Sequence, residues 1–262
     1  MRLGQKIHFF LWSVKEFVLV NYYCVKHGTE LKRIRSFQNK YKGKRCFVIG
    51  NGPSLNKQDL DTLAKYKEIT FASNRIYKMY DQTPWRPDFY AVCDEKLFVD
   101  QMGPIRQIKD TVRFLPLDLA HHVNYDGGFV YFARYPFKFF TKYPVFRDDL
   151  TKKLGEGNTV TYHLLQLAVC MGFTEIYLLG CDFSYNIGIG PDGKIIRDNA
   201  SENYPWKEDN KVYNLPNLQA NLYAYMAAKK YADQHGIVIR NATRGGKLEV
   251  FDRVGFDELF ER

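Results

Sequence analysis

The residues best equipped for chemistry in this chain are polar side chains that stand just after short apolar runs. Asn51 and Ser54 lie in Gly50-Asn51-Gly52-Pro53-Ser54, behind Cys46-Phe47-Val48-Ile49. Asn74 and Arg75 follow Glu68–Ala72, and Asp94 follows Asp88–Cys93. Asp182 closes Glu175–Asp182, and Asn241 and Thr243 come after Ile237–Arg240. Amides and hydroxyls of this kind grip a polar ligand, an arginine neutralises an anion, and an aspartate can take a proton from an attacking hydroxyl. A glycine turn running into a helix start offers unpaired N–H groups, a ready seat for phosphate. The chemistry expected is therefore the handling of an activated phosphate ester. The N–H groups of Gly52 and Ser54, with Arg75 or Arg244, would steady the charge on the leaving phosphate. Asp182, Asp94, His121 and His122 are the candidate catalytic residues. Each aspartate has a plainer alternative as a helix cap or a structural hydrogen-bond acceptor after a strand. The Gly-x-Gly turn has one as an ordinary strand-to-helix connection, with Gly50 and Gly52 permitting positive φ and close approach of a ligand.

Two familiar phosphate motifs are excluded. A dinucleotide fingerprint would need glycine where Leu55 stands, and a P-loop would need Gly-Lys-Ser/Thr.

The elements that must position these residues follow from hydrophobic periodicity. Short apolar runs at Cys46–Ile49, Glu68–Ala72, Asp88–Cys93, Thr111–Leu115, Glu175–Leu179 and Ile237–Arg240 read as strands. Helices are expected over Asn56–Tyr66, Thr159–Met171 and Leu218–Gln234, the second stopped by Gly172. Ser54 and Asn56 are the candidate caps of the first. Strands alternating with helices imply an α/β, Rossmann-like fold: a mainly parallel sheet with helices on both faces. In such sheets ligands bind beyond the carboxyl ends of the strands, so the polar residues named above should share one rim. Two insertions are expected, an aromatic one over the sheet at 120–150 and a glycine-rich lid at 184–216. Tyr185, Tyr204 and Tyr213 of that lid are placed to close over a sugar or to pack the loop.

Residues 1–43 are set apart as a basic, amphipathic N-terminal segment. The chain carries a formal charge of +9, and residues 1–45, with 11 Lys/Arg and two Glu, account for all of it. The body is then neutral overall, which argues against a nucleic-acid partner. The apolar stretch Ile7–Val25 is interrupted by Ser13, Lys15, Glu16 and Asn21, too polar for a signal peptide or a spanning helix. Followed by the basic run Lys32–Arg45, it suits contact with an anionic membrane surface from the cytoplasmic side. Packing against the domain or a second subunit is the alternative. Five cysteines in no paired spacing favour a reducing compartment.

Taken together, Gly50-Asn51-Gly52-Pro53-Ser54-Leu55, Ser73-Asn74, Gly157-Asn158-Thr159-Val160 and Gly172-Phe173-Thr174-Glu175-Ile176-Tyr177-Leu178-Leu179-Gly180-Cys181-Asp182-Phe183 resemble one known group. It comprises bacterial CMP-sialic-acid-dependent sialyltransferases, flagellin-modifying motility accessory factors and MptE-type 6-hydroxymethylpterin diphosphokinases. The resemblance runs over roughly residues 44–255 and is most specific in the last block. It implies a Rossmann-like domain that binds a nucleotide, usually CMP linked to a nine-carbon sugar acid, with Gly50 to Ser54 at the phosphate and Asn74, Asn158 and Thr159 against the donor. Asp94 stands where those transferases carry an asparagine. They also place a catalytic histidine near the lid, and this chain has none between His163 and His235. His163, inside a helix, reads as a buried structural histidine.

The expected activity is a glycosyltransferase that takes a nucleotide-sugar donor to a glycan or lipid-linked glycan in bacterial surface glycan synthesis. None of the strand-end aspartates belongs to an Asp-x-Asp pair, so no metal and no separate cofactor are expected. A pterin pyrophosphokinase is the alternative, with Mg²⁺ held by Asp94 and Asp182. A nucleotide-binding domain without catalysis is the third. The family also implies a homo-oligomer.

Overall fold

The computed structural model describes residues 3–135, 143–184, 187–189, 195–197, 204–206 and 216–261. Seven strands build one sheet: β1 (Arg45–Ile49), β2 (Thr70–Ser73), β3 (Phe89–Ala91), β4 (Val112–Pro116), β5 (Val130–Phe132), β6 (Glu175–Leu179) and β9 (Val238–Asn241). Their order is β5-β4-β3-β2-β1-β6-β9, and every pairing is parallel. The strand order reverses at β1, whose neighbours are β2 and β6. That is the switch point at which a parallel sheet opens a crevice.

Alternation along each strand divides the core between two faces. Cys46, Val48, Phe71, Phe89 and Phe114 point to one, packed under α6 (Val160–Cys170) and α7 (Leu218–His235). Phe47, Ile49, Ala72, Tyr90 and Leu115 point to the other, under α3 (Lys57–Tyr66), α4 (Glu95–Asp100) and α5 (Met102–Arg106). With both faces covered, the strands are buried on both sides, which is why they read as unbroken apolar runs. Every residue of α6 from Thr161 to Cys170 is buried, so this helix runs through the interior rather than along the surface.

Local chemistry sets the ends. The Asn56 side chain, not that of Ser54, caps α3 by accepting from Asp59 N at 2.8 Å. Gly172 ends α6 at φ +93°, where an added Cβ would lie 3.0 Å from the Lys42 backbone.

The segment 120–150 is not only a cover, because Val130–Phe132 extends the sheet as its edge strand β5. The N-terminal segment 1–43 packs in part against the domain, the alternative weighed for it. After α1 (Leu3–Lys26) and the short α2 (Lys32–Arg35), Ile34 and Phe37 enter the core. The Asn39, Tyr41 and Gly43 N–H groups bond the carbonyls of Cys170, Met171 and Gly172. Helix α1 rests through Tyr23, Cys24 and His27 on the 3₁₀ turn Leu117–Val123 and on Tyr125, whose ring stacks on His27 at 3.9 Å. Among the described residues no helix is long and apolar enough to cross a membrane.

Within the expected lid the described residues include an antiparallel pair, β7 (Ile187–Ile189) and β8 (Ile195–Arg197), and the stacked rings of Tyr204 and Trp206. Tyr185 and Tyr213 lie outside the described residues. All five cysteines are free thiols.

Candidate functional site

At the switch point the turn after β1 is pressed against the turn after β6. Gly50 N donates to Leu179 O at 2.7 Å and Gly52 N to Gly180 O at 2.8 Å. Ser54 N and Oγ both donate to the Asp182 carboxylate, at 3.2 and 2.7 Å. A Cβ on Gly50 would come within 2.3 Å of Gly180 O, and one on Gly52 within 1.9 Å of Asp182 Oδ2. Neither residue has positive φ; in this stretch that role belongs to Gly180. The glycines are thus required by the approach of the chain to itself. The Gly52 and Ser54 N–H groups are already spent inside the protein, which corrects the expectation that they face a leaving phosphate. Pro53 sits between them in the same turn.

Asp182 is buried, and that burial pushes its carboxyl above the ordinary aspartate range against the pull of the Ser54 bonds. With both oxygens engaged, it clamps the two turns together. Thr243 and Asn241 are likewise structural: Cys181 N donates to Thr243 Oγ1 and Thr243 N to Asn241 Oδ1. Arg244 is held by Asp59 and Asp257. The Asp-x-Asp triplet Asp59-Leu60-Asp61 lies in α3 rather than after a strand. Asp59 is buried against Arg244, while Asp61 bonds Lys57 and Thr83.

The neighbouring stretch of rim differs. Asn51 reaches across to β2, its Nδ2 donating to Ser73 O at 3.0 Å. Asn74 sits in the left-handed region at φ +54°, its carbonyl taking the Tyr90 hydroxyl at 2.6 Å. The side-chain oxygens of Asn51 and Asn74 are both shielded from solvent and have no hydrogen-bond partner among the described residues. Buried acceptors are nearly always satisfied, by protein groups, ordered water or a ligand, and these two stand side by side at adjacent strand ends. Arg75, buried next to them, lies under the Tyr204 ring at 4.9 Å, which brings one lid residue to the rim.

Farther along, Arg134 organises a cluster that the strand-end rule passes over when β5 goes unseen. Its guanidinium forks onto Asp118 at 3.1 and 2.8 Å and donates to Cys93 O at 3.1 Å and to Glu156 Oε2 at 3.3 Å. Burial raises the Asp118 carboxyl, but the paired Arg134 outweighs it, and the group ends below its ordinary value. Glu156 Oε1 accepts from Asn158 N at 2.7 Å. Asn158, at φ +57°, and Thr159 lead into α6, whose first turn opens on this rim, and the Thr159 side chain makes no capping bond. His163 is fully buried 3.4 Å from Glu156, its imidazole held below the usual value by burial. Burial also raises the thiols of Cys93 and Cys181, the latter to about 12, which disfavours the nucleophilic thiolate.

Asp94 follows its plainer alternative: its carboxylate caps α4 by accepting from Leu97 N at 2.9 Å. His122 Nε2 lies 2.8 Å from Glu95 Oε1, and His121 Nδ1 lies 2.9 Å from Asp118 O. A separate cavity of about 710 Å³ beside α7, lined by Phe183, Leu222, Met226 and Val250 among others, includes none of the expected site residues.

Residues 19–188 match the family model described as "6-hydroxymethylpterin diphosphokinase MptE-like". No curated protein matches the chain. Among solved structures the chain is similar to the MAf glycosyltransferase from Magnetospirillum magneticum AMB-1, with a TM-score of 0.51 and 15% identity over 87% of this chain. This chain spans 38% of that protein's length, and at this identity the likeness is one of fold.

Proposed function

Because the chain belongs to the 6-hydroxymethylpterin diphosphokinase MptE-like family, we propose that it binds a nucleotide at the carboxyl edge of its sheet and acts as a nucleotide-sugar-dependent glycosyltransferase, with CMP linked to sialic acid or a related nonulosonate as donor. The observation that carries this is the pair of orphaned acceptors, Asn51 Oδ1 and Asn74 Oδ1. A bare phosphate offers no donor to them, whereas the amino group of a base or the hydroxyls of a sugar do. Arg75 beneath Tyr204 supplies the neighbouring positive charge, and Asn158 and Thr159 at the start of α6 are the partners for the donor from the other side. The fold shared with a MAf glycosyltransferase supports the same reading.

The acceptor fits a glycan carried on lipid. Leu11, Val14, Val18, Tyr22 and Val25 follow one another at spacings of three and four along α1 and are all exposed. They form an apolar stripe next to the basic run Lys32–Arg45, the pattern of a helix lying on an anionic membrane. A pterin pyrophosphokinase is the second reading, favoured by the family's description. Against its Mg²⁺ cradle, Asp94 is spent on a helix cap and Asp182 on Ser54.

Thermal-shift measurements with CMP, UDP, GDP and ATP, with and without Mg²⁺, separate the two. Stabilisation by CMP without metal, together with sugar transfer from CMP-sialic acid to lactose, is the expected result. Stabilisation by ATP that requires Mg²⁺ would replace it with the second reading.

A further inference from the structure

We propose that Glu95, His121 and His122 form a binding site for one divalent transition-metal ion of the Zn²⁺ class. Each residue brings one ligand atom, and the three atoms lie within 4.8 Å of one another. The juxtaposition is tertiary. Glu95 opens α4 after β3, and the two histidines end the 3₁₀ turn Leu117–Val123 after β4. Parallel pairing of β3 with β4 brings these ends together.

The immediate surroundings prepare the imidazoles for a metal. The Asp118 carbonyl, 2.9 Å from His121 Nδ1, can only accept, so the neutral tautomer that this contact favours donates from Nδ1 and offers Nε2 to a cation. This backbone bond is the usual outer partner of a ligating histidine. The His122 ring is held edge-on against Phe98 and tilted 38° against His121 with centroids 3.9 Å apart. Its Nε2–H donates to Glu95 Oε1 at 2.8 Å, where a metal would take the place of that one proton. The carboxylate of Asp118, whose carbonyl meets His121, is committed to Arg134.

Two imidazole nitrogens and one carboxylate oxygen suit Zn²⁺, Co²⁺, Ni²⁺ or Mn²⁺ and not Mg²⁺ or Ca²⁺, which are bound through oxygen. Three protein ligands leave a position for water or a substrate oxygen, the arrangement of an open site rather than a closed structural one. The two histidines are exposed and half-buried, so an ion reaches them without unfolding. The inference rests on these side chains alone and stands whether or not the rim binds a nucleotide.

The test is equilibrium dialysis of the untagged, chelator-stripped full chain against Zn²⁺, with Co²⁺ absorption as a second readout. One equivalent is expected, with a Co²⁺ spectrum free of thiolate charge-transfer bands, which excludes the five cysteines as ligands. Glu95→Gln, which keeps the shape and the hydrogen-bonding oxygen, should weaken binding at least about tenfold, the loss that even an outer-shell partner causes. The His121→Ala/His122→Ala pair should abolish it, and His235→Ala, at the exposed end of α7, should leave it unchanged. Thermal melts without metal confirm that each variant is folded. Binding that survives in the paired histidine variant, or less than one equivalent bound by the parent chain, overturns the proposal.

Discussion

Asn74→Gly should make the protein more stable and its ligand weaker, a combination that a purely structural asparagine cannot produce. Among the described residues the buried Asn74 side-chain oxygen has no hydrogen-bond partner. An unsatisfied buried acceptor costs about 1–3 kcal/mol. The residue also holds φ at +54°, where glycine carries no Cβ strain. Glycine gives back about 0.5–1 kcal/mol through the entropy of the unfolded chain. The net gain is about 1 kcal/mol, a rise in Tm of about 2–4 °C for a chain of this size. Nucleotide binding loses the hydrogen bond this oxygen would accept, about 0.5–1.5 kcal/mol. That weakens Kd roughly 2- to 12-fold, since 1.4 kcal/mol is a factor of ten. Urea unfolding with and without CMP, and calorimetric titration of CMP, measure both quantities on the same sample. A variant less stable than the parent by 1 kcal/mol or more, with CMP affinity unchanged, would refute the reasoning, because Asn74 would then be a structural residue with its oxygen satisfied.

Gly52→Ala places a methyl 1.9 Å from Asp182 Oδ2 and must part the two turns. Overpacking of this kind costs about 1–3 kcal/mol, and the Ser54 bonds to Asp182 go with it; a chemical melt within 0.5 kcal/mol of the parent would contradict that packing. Arg134→Met leaves Asp118 and Glu156 without their cation and should cost about 3 kcal/mol. The same pairing sets an acid limb. Asp118 is depressed in the folded state, so its contribution is present above the unfolded aspartate value of about 3.9 and is lost as pH falls through the lower folded value. Asp118→Asn should flatten that limb between pH 4 and 2, and an unchanged acid titration would remove Arg134 as its cause. Leu11→Ser/Val18→Ser/Val25→Ser removes three exposed apolar side chains of α1. It should reduce sedimentation with phosphatidylglycerol vesicles at least about tenfold without lowering the melt, each buried side chain contributing roughly 1.5–3 kcal/mol. Equal sedimentation would mean that α1 does not lie in the bilayer surface.

Much of the architecture was legible because both faces of a parallel sheet are buried. Continuous apolar runs such as Cys46–Ile49 and Ile176–Leu179 admit few other fates, and their ends announce the rim. Val130-Tyr131-Phe132 was not legible, since three apolar residues in an aromatic stretch carry no period. Only the open edge of β4 makes them a strand. Losing β5 also hid Arg134, and with it the cluster joining Asp118 to Glu156.

By itself the sequence determined the parallel α/β body, the glycine turn after β1, the basic N-terminal run and the set of polar residues that share one edge, because these depend on local pattern and on the period of burial. Tertiary structure alone decided which of those residues are spent and which are left over. Ser54 and Asp182 are 128 positions apart and satisfy each other, whereas the side-chain oxygens of Asn51 and Asn74 find no partner among the described residues. Hydrogen-bond capacity is used up by whatever comes within reach, and reach is a property of the folded chain.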